Sequence, residues 1–200
     1  MPACYNPVVI SAIVVAAGLS RRMGQFKLLL PWGPHTVLGQ VVATLTAAGL
    51  PEIVVVTGHR SAQVAASLAD TAVRVLFNPD YTDGEMLRSV QVGLHALGSD
   101  VQAALLCLGD QPQMTSETIQ AVLAEGAAHS WTRVVIPSYQ MRAGHPILLP
   151  RSMWRPILEA TGALRDVLRA HQEEIVYVNV DTPTILADLD KPEDYRPVAP

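Results

Sequence analysis

Three cations fall within seven residues in the stretch Ala16-Ala17-Gly18-Leu19-Ser20-Arg21-Arg22-Met23-Gly24-Gln25-Phe26-Lys27, directly after an apolar run. Glycine lets backbone N–H groups come close to a ligand, arginine forks onto phosphate oxygens, and lysine acts as a mobile point charge. The chemistry this composition suits is phosphate binding, with Arg21 and Lys27 as its charged donors; Arg22 reads as facing water. The competing reading is a solvated basic turn. Against it stands the economy of the chain, which has 14 basic residues in 200 and spends three of them here. The spacing fits neither GxGxxG nor GxxxxGK[ST], which excludes the dinucleotide fingerprint and the P-loop.

A second place is Leu105-Leu106-Cys107-Leu108-Gly109-Asp110-Gln111-Pro112, where an acid ends the most apolar run of the chain. Magnesium is held by one or two carboxylates plus phosphate oxygens and water, so Asp110 across a crevice from Arg21 and Lys27 makes a coherent metal–nucleotide site. By itself an Asp in a turn before proline is ordinary turn chemistry. The third place, Ala187-Asp188-Leu189-Asp190-Lys191-Pro192-Glu193-Asp194-Tyr195, offers two carboxylates two residues apart, which an extended segment carries on one face. It reads equally as an acidic turn with Asp190 as N-cap and Pro192 just inside a helix.

The elements that must position these residues alternate between short β-branched runs and longer stretches of helical period, the pattern of βαβ units feeding a mostly parallel sheet flanked by helices, in the α/β class. Strands are expected at 10–16, 52–57, 73–77, 103–108, 133–136, 146–149 and 175–180. Helices are expected at 35–48, 61–69, 86–97, 116–128 with Thr115 or Ser116 as cap, and around 163–170. The 103–108 strand, apolar throughout, is expected at the centre of the sheet. Ligands of open α/β sheets bind beyond the carboxyl ends of the strands, where all three chemical segments begin.

Composition narrows the function. Half of the residues are hydrophobic, 16% are charged and the mean hydropathy is +0.26, enough to bury a sizeable core and too little charge for disorder. Fourteen Lys and Arg against 18 Asp and Glu give a net charge of -4, which argues against a broad nucleic-acid-binding surface. The apolar stretch 8–19 is too short to span a bilayer and has no basic region before it, so a soluble cytoplasmic protein without membrane attachment is expected. Cys4 and Cys107 have no metal-ligand or disulfide spacing and read as a surface thiol and a core residue. Two hundred residues suggest one domain, 1–200, with a nucleotide-binding part over about 8–112 and an acceptor-binding part over about 113–196.

Taken together, A-A-G-x-S-x-R-M-G-x-x-K at Ala16–Lys27, L-G-D-Q-P at Leu108–Pro112, G-H-P at Gly144–Pro146 and D-L-D-K-P-E-D-Y at Asp188–Tyr195 resemble the MobA-like nucleotidyltransferase family, most nearly its molybdenum cofactor cytidylyltransferase branch. The resemblance spans nearly the whole chain. It implies a Rossmann-like nucleotidyltransferase fold and an Mg²⁺-dependent transfer of CMP from CTP to the phosphate of molybdopterin, with release of pyrophosphate. It implies that Ala16, Ala17, Gly18, Ser20, Arg21, Lys27, Gly84, Ser89 and Asp110 bind the nucleotide. Arg21, Lys27 and Asp110 would be catalytic, and Asp110 and Asp190 would hold magnesium, with Asp188 as the substitute for Asp190. His145 is assigned to acceptor binding rather than acid–base work; its alternative is holding the loop. Ala17 points to CTP, since guanylyl members resemble L-A-G-G at this place.

The chain departs from the family pattern mainly on the acceptor side. Tyr139-Gln140-Met141-Arg142-Ala143 lacks the glycine expected before G-H-P, and Thr161-Gly162-Ala163-Leu164-Arg165-Asp166 replaces G-D-x-G-A-R. Tyr81 stands for the tryptophan of N-P-x-W. A sugar phosphate or another small phosphate therefore remains open as acceptor, as does a non-catalytic carrier of the cofactor. A recipient molybdoenzyme is the expected protein partner.

Overall fold

Along the first strand of the sheet, residues 10, 12, 14 and 16 pack into one apolar cluster while Ile13 packs into another. A strand sends successive side chains to opposite faces, so a continuous apolar run of this kind must be covered by helices on both sides. The computed structural model describes residues 8–83 and 86–195 and shows that arrangement. Its strands are β1 (Val9–Ala16), β2 (Pro31–Trp32), β3 (His35–Thr36), β4 (Glu52–Thr57), β5 (Arg74–Phe77), β6 (Val101–Leu108), β7 (Val134–Tyr139), β8 (Arg142–Ala143), β9 (Ile147–Pro150) and β10 (Ile175–Asn179). Its helices are α1 (Val37–Ala47), α2 (Ser61–Ser67), α3 (Met86–Ala96), α4 (Ser116–Ala128), α5 (Trp154–Glu159) and α6 (Leu164–Ala170).

The main sheet runs β10-β7-β9-β6-β1-β4-β5, with β8 paired to β7 and the apolar β6 at its centre as expected. Helices α1, α2 and α4 cover one face and α3, α5 and α6 the other. This is the α/β, Rossmann-like nucleotidyltransferase arrangement that the motifs imply, with two antiparallel members, β8 and β9. Because β6, β1, β4 and β5 are parallel, their carboxyl ends lie along one edge, in the register Val15↔Leu108, Ala16↔Thr57 and Thr57↔Phe77. Strand β9 runs antiparallel to β6 and β7, with Ile147 opposite Leu106, so the residues that enter it, Gly144 to Pro146, reach that same edge from the other direction.

Strand β7 runs on to Tyr139, past its expected end at 136, the short β8 has no counterpart among the expected strands, and two helices also differ. Helix α1 begins at Val37 rather than His35. His35 and Thr36 instead close a small hairpin on Pro31 and Trp32, and the Thr36 hydroxyl caps the helix by accepting from the Gly39 N–H at 3.0 Å. Helix α5 was not expected because it contains Pro156, a residue that ordinarily reads as a breaker. It sits in the first turn, where no intrahelical N–H bond is lost. Trp154 of α5 is buried and its indole N–H donates to the Leu149 carbonyl at 3.3 Å. Thr115 caps α4 as expected, accepting from the Thr118 N–H at 3.3 Å. Cys107 is fully buried in β6, and burial pushes its thiol well above the ordinary range; Cys4 lies outside the described residues. Among the described residues no helix is long and apolar enough to cross a membrane.

Candidate functional site

The loop that leaves β1 is built from two single-turn 3-10 segments, Arg21–Met23 and Lys27–Leu29, joined through Gly24 at a φ of 66°. Met23, Phe26 and Leu28 are buried and plug the loop onto the sheet, which leaves Gly18, Arg21 and Arg22 outside. Ser20, itself left-handed at a φ of 52°, accepts the Lys27 N–H on its Oγ at 3.3 Å and so ties the loop's end to its beginning. A Cβ on Gly18 would meet nothing within 4 Å, so the backbone there is open to a ligand. Beneath the loop, Gly58 is pressed against Tyr81 and the Ala17 carbonyl, a packing that leaves no room for a side chain.

The acids come from the opposite side of the edge. The Gly109 N–H bonds to the Val15 carbonyl at 2.9 Å, which fixes the turn carrying Asp110 against the end of β1. The C-terminal segment is then fastened to that turn: the Leu189 N–H donates to the Asp110 carbonyl at 3.1 Å. The buried Gln111 amide donates to the Ile185 carbonyl at 3.2 Å and to the Asp188 carboxylate at 2.5 Å. Asp188 thus turns to Gln111 while Asp190 enters the cleft. Burial raises the Asp188 carboxyl above its ordinary range; the Gln111 bond opposes this, and the neighbouring Asp110 and Asp190 charges add to it.

Cations and acids meet in the cleft. Lys27 Nζ lies 2.5 Å from Asp110 Oδ2 and 3.5 Å from Asp190 Oδ1, and its side chain is only 12% exposed. Arg22, expected to face water, is 68% exposed yet its Nη2 lies 3.0 Å from the same Asp190 oxygen. The cleft, about 430 Å³, is lined by residues 15–22 and by Lys27, Tyr81, Ser89, Asp110 and Asp190. Ser89 is held in place by Asn78, whose amide donates to its Oγ at 3.0 Å. A second groove of about 880 Å³ between α1 and residues 67–73 contains none of the expected site residues.

The structure therefore brings together Ala16, Ala17, Gly18, Ser20, Arg21, Lys27, Ser89, Asp110 and Asp190 around one cleft; Gly84 lies outside the described residues. His145 does not line it. Its backbone N–H donates to the Ile185 carbonyl at 3.1 Å, and its Nε2 is buried with no hydrogen-bond partner among the described residues. Burial pushes the imidazole down to about 4, against the pull of the Asp110 charge. Asp190 is not a helix N-cap: the final 3-10 turn, Pro192–Asp194, starts after Lys191, and Asp194 Oδ2 accepts the N–H groups of Asp190 and Lys191 at 3.0 and 2.8 Å. Arg165 and Asp166 are a solvent-exposed pair at 4.0 Å. Sequence reasoning assigned no site role to Gln111, Arg22 or Tyr81, although Arg22 is the arginine of the A-A-G-x-S-x-R-M-G-x-x-K motif and Gln111 the glutamine of L-G-D-Q-P. Gln111 had a signal, a polar side chain placed between an acid and a proline at the end of a buried strand.

Among the described residues no three His, Cys, Asp or Glu side chains form a metal-binding group. The two acids nonetheless suit magnesium, because they already converge on one cation, the Lys27 ammonium, and leave further ligand positions to phosphate and water.

A family model for the MobA-like NTP transferase domain matches residues 12–188. Over 190 residues the chain is 27% identical to the molybdenum cofactor cytidylyltransferase of Escherichia coli strain K12, covering 93% of each chain. Among solved structures, a nucleotidyl transferase from Methanothermobacter is 28% identical, with a TM-score of 0.80 over 94% of each chain. The Rv0371c protein of Mycobacterium tuberculosis H37Rv in complex with manganese is 25% identical, with a TM-score of 0.74 over 94% of this chain and 96% of that one.

Proposed function

The chain belongs to the MobA-like NTP transferase family of nucleotidyltransferases, and from that premise we propose that it transfers CMP from CTP to the phosphate of a molybdopterin-type acceptor, releasing pyrophosphate. One observation carries the reading: Lys27, Asp110 and Asp190, from three distant stretches, meet beside the exposed backbone of Gly18. The choice of CTP rests on Ala16-Ala17-Gly18 along the cleft, and the choice of acceptor on the name of the Escherichia coli relative.

An NTP and an acceptor phosphate repel each other, so the protein's task is to align them and neutralise charge; a protein nucleophile is not needed. Asp110 and Asp190 are the residues that would hold Mg²⁺, and a divalent ion in this fold is supported by the Mycobacterium relative, whose structure is a complex with manganese. When bound, the ion supplies Lewis-acid neutralisation at the α-phosphate. The loop's backbone lies against the phosphates, and Arg21 at the rim with Lys27 inside bears the charge that builds on the departing pyrophosphate. A positioned charged donor of this kind contributes about 2–4 kcal/mol in the transition state. The backbone N–H of His145 fastens the entry of β9 to Ile185 on the acceptor side.

The test is pyrophosphate release with CTP, GTP, ATP and UTP, each against molybdopterin and against sugar phosphates. Release that requires CTP, molybdopterin and Mg²⁺ is expected. Release only with sugar phosphates overturns the acceptor. Cofactor binding that survives Asp110→Ala, with no release under any condition, marks a carrier instead of an enzyme.

A further inference from the structure

Resting on the reading above, we infer that Lys27 is the resident counter-cation of the Asp110–Asp190 pair, so that the divalent-metal position forms only when a polyphosphate draws the ammonium away. Nζ touches Asp110 Oδ2 at 2.5 Å and lies 3.5 Å from Asp190 Oδ1, and Arg22 Nη2 holds that second oxygen at 3.0 Å. Two acids are thus matched by two cations, and the pair is neutral without any metal. An ion that ligates the same two oxygens needs the space that Nζ holds, and a dication beside an ammonium in a half-buried cleft is strongly repelled.

The way the two sides are fastened decides which one yields. The acids are pinned through the Asp110 carbonyl, Gln111 and Leu189, whereas the lysine stands on a flexible four-carbon stem in a loop whose backbone hydrogen bonds are local turns within residues 20–30 and whose side-chain tie is the Ser20 contact at 3.3 Å. A triphosphate offers the ammonium several oxygens directly beside the loop, so Lys27 moves and the acids stay. Polyphosphate and metal then bind with positive coupling, each promoting the other. The lysine has two partners in succession: carboxylates at rest, and phosphates when substrate is bound.

Manganese alone is the probe, followed by the electron paramagnetic resonance signal of free Mn²⁺ in the absence of nucleotide. Lys27→Met and Lys27→Gln, checked by circular dichroism for folding, should bind Mn²⁺ about tenfold or more tightly than the unmodified protein, and Lys27→Arg, which keeps the charge, should not. In the unmodified protein, imidodiphosphate should raise Mn²⁺ binding beyond the Mn²⁺–imidodiphosphate complex formed without protein. Equal affinity in the unmodified protein and the neutral variants, or no coupling to imidodiphosphate, overturns the inference while leaving the metal reading in place, provided Asp110→Asn still abolishes binding. Mn²⁺ binding that ignores Asp110→Asn in every background overturns the metal site itself and the inference with it.

Discussion

The two walls of the cleft are constructed on opposite plans. The acidic wall, Asp110 to Gln111 and Ile185 to Asp190, is joined by three hydrogen bonds between segments far apart in sequence, including the Gln111 amide at 2.5 Å from Asp188, and the His145 N–H at 3.1 Å from Ile185 adds a third segment. The cationic wall is a loop anchored by apolar plugs, with Arg21 and Arg22 exposed and a single side-chain hydroxyl bracing Lys27. A wall built of buried cross-links keeps its geometry when charge arrives; one built of long cationic side chains on an exposed loop rearranges. On the reading proposed above, that division would let the acids define a point in space while the cations follow the phosphates.

The contrast can be broken most severely at the fixed wall. Asp110→Ala is expected to lower kcat by about a thousandfold or more, since it removes a proposed metal ligand and the nearer of Lys27's two carboxylate partners; steady-state pyrophosphate release measures it. At the moving wall, Lys27→Met is expected to cost about a hundredfold in kcat with a smaller change in KM, because the charge matters most on the departing group.

Acid sharpens the comparison, because it acts on the fixed wall through His145. The imidazole is pushed down to about 4 in the folded protein from an ordinary 6.5, so the unfolded chain binds the proton more readily between those values. Stability attributable to His145 is therefore complete above about pH 6.5 and falls as the pH drops to about 4, by roughly 3 kcal/mol in all. His145→Asn should flatten that part of the denaturation-midpoint profile; an unchanged slope would show that the ring is not buried neutral. Gln111→Ala strips partners from Ile185 and Asp188 and is expected to cost about 2 kcal/mol in urea unfolding. Smallest is Arg22→Ala, less than about 1 kcal/mol of stability, as befits a pair with one member 68% exposed.

Much of this was legible along the chain. The strand at 52–57 and the helix at 116–128 coincide with the observed bounds, because their apolar period and the Thr115 cap are local signals. That the cation-bearing loop at 16–27 and Asp110 stand at strand ends was readable for the same reason, each being a short contiguous pattern after an apolar run. Helix α5 was hidden by Pro156, and the start of α1 by the hairpin at 31–36, whose pairing depends on Gly33 at a φ of 56°. The choice between Asp188 and Asp190 could not be made from spacing, since both precede the same turn.

By itself the sequence determined the α/β class, the centrality of the apolar strand and the chemical types of the two walls, because hydrophobic period and turn chemistry act over a few residues. Only the tertiary structure decided that Asp188 is spent on Gln111, that Asp190 faces Lys27 and Arg22, and that His145 is not among the residues lining the cleft. Those outcomes depend on an antiparallel strand bringing residues 144–146 to the same edge as residue 110, and on hydrogen bonds between residues 74 and 77 positions apart. Such partners are selected by burial and competition among polar groups once the chain has closed, and no local pattern encodes the winner.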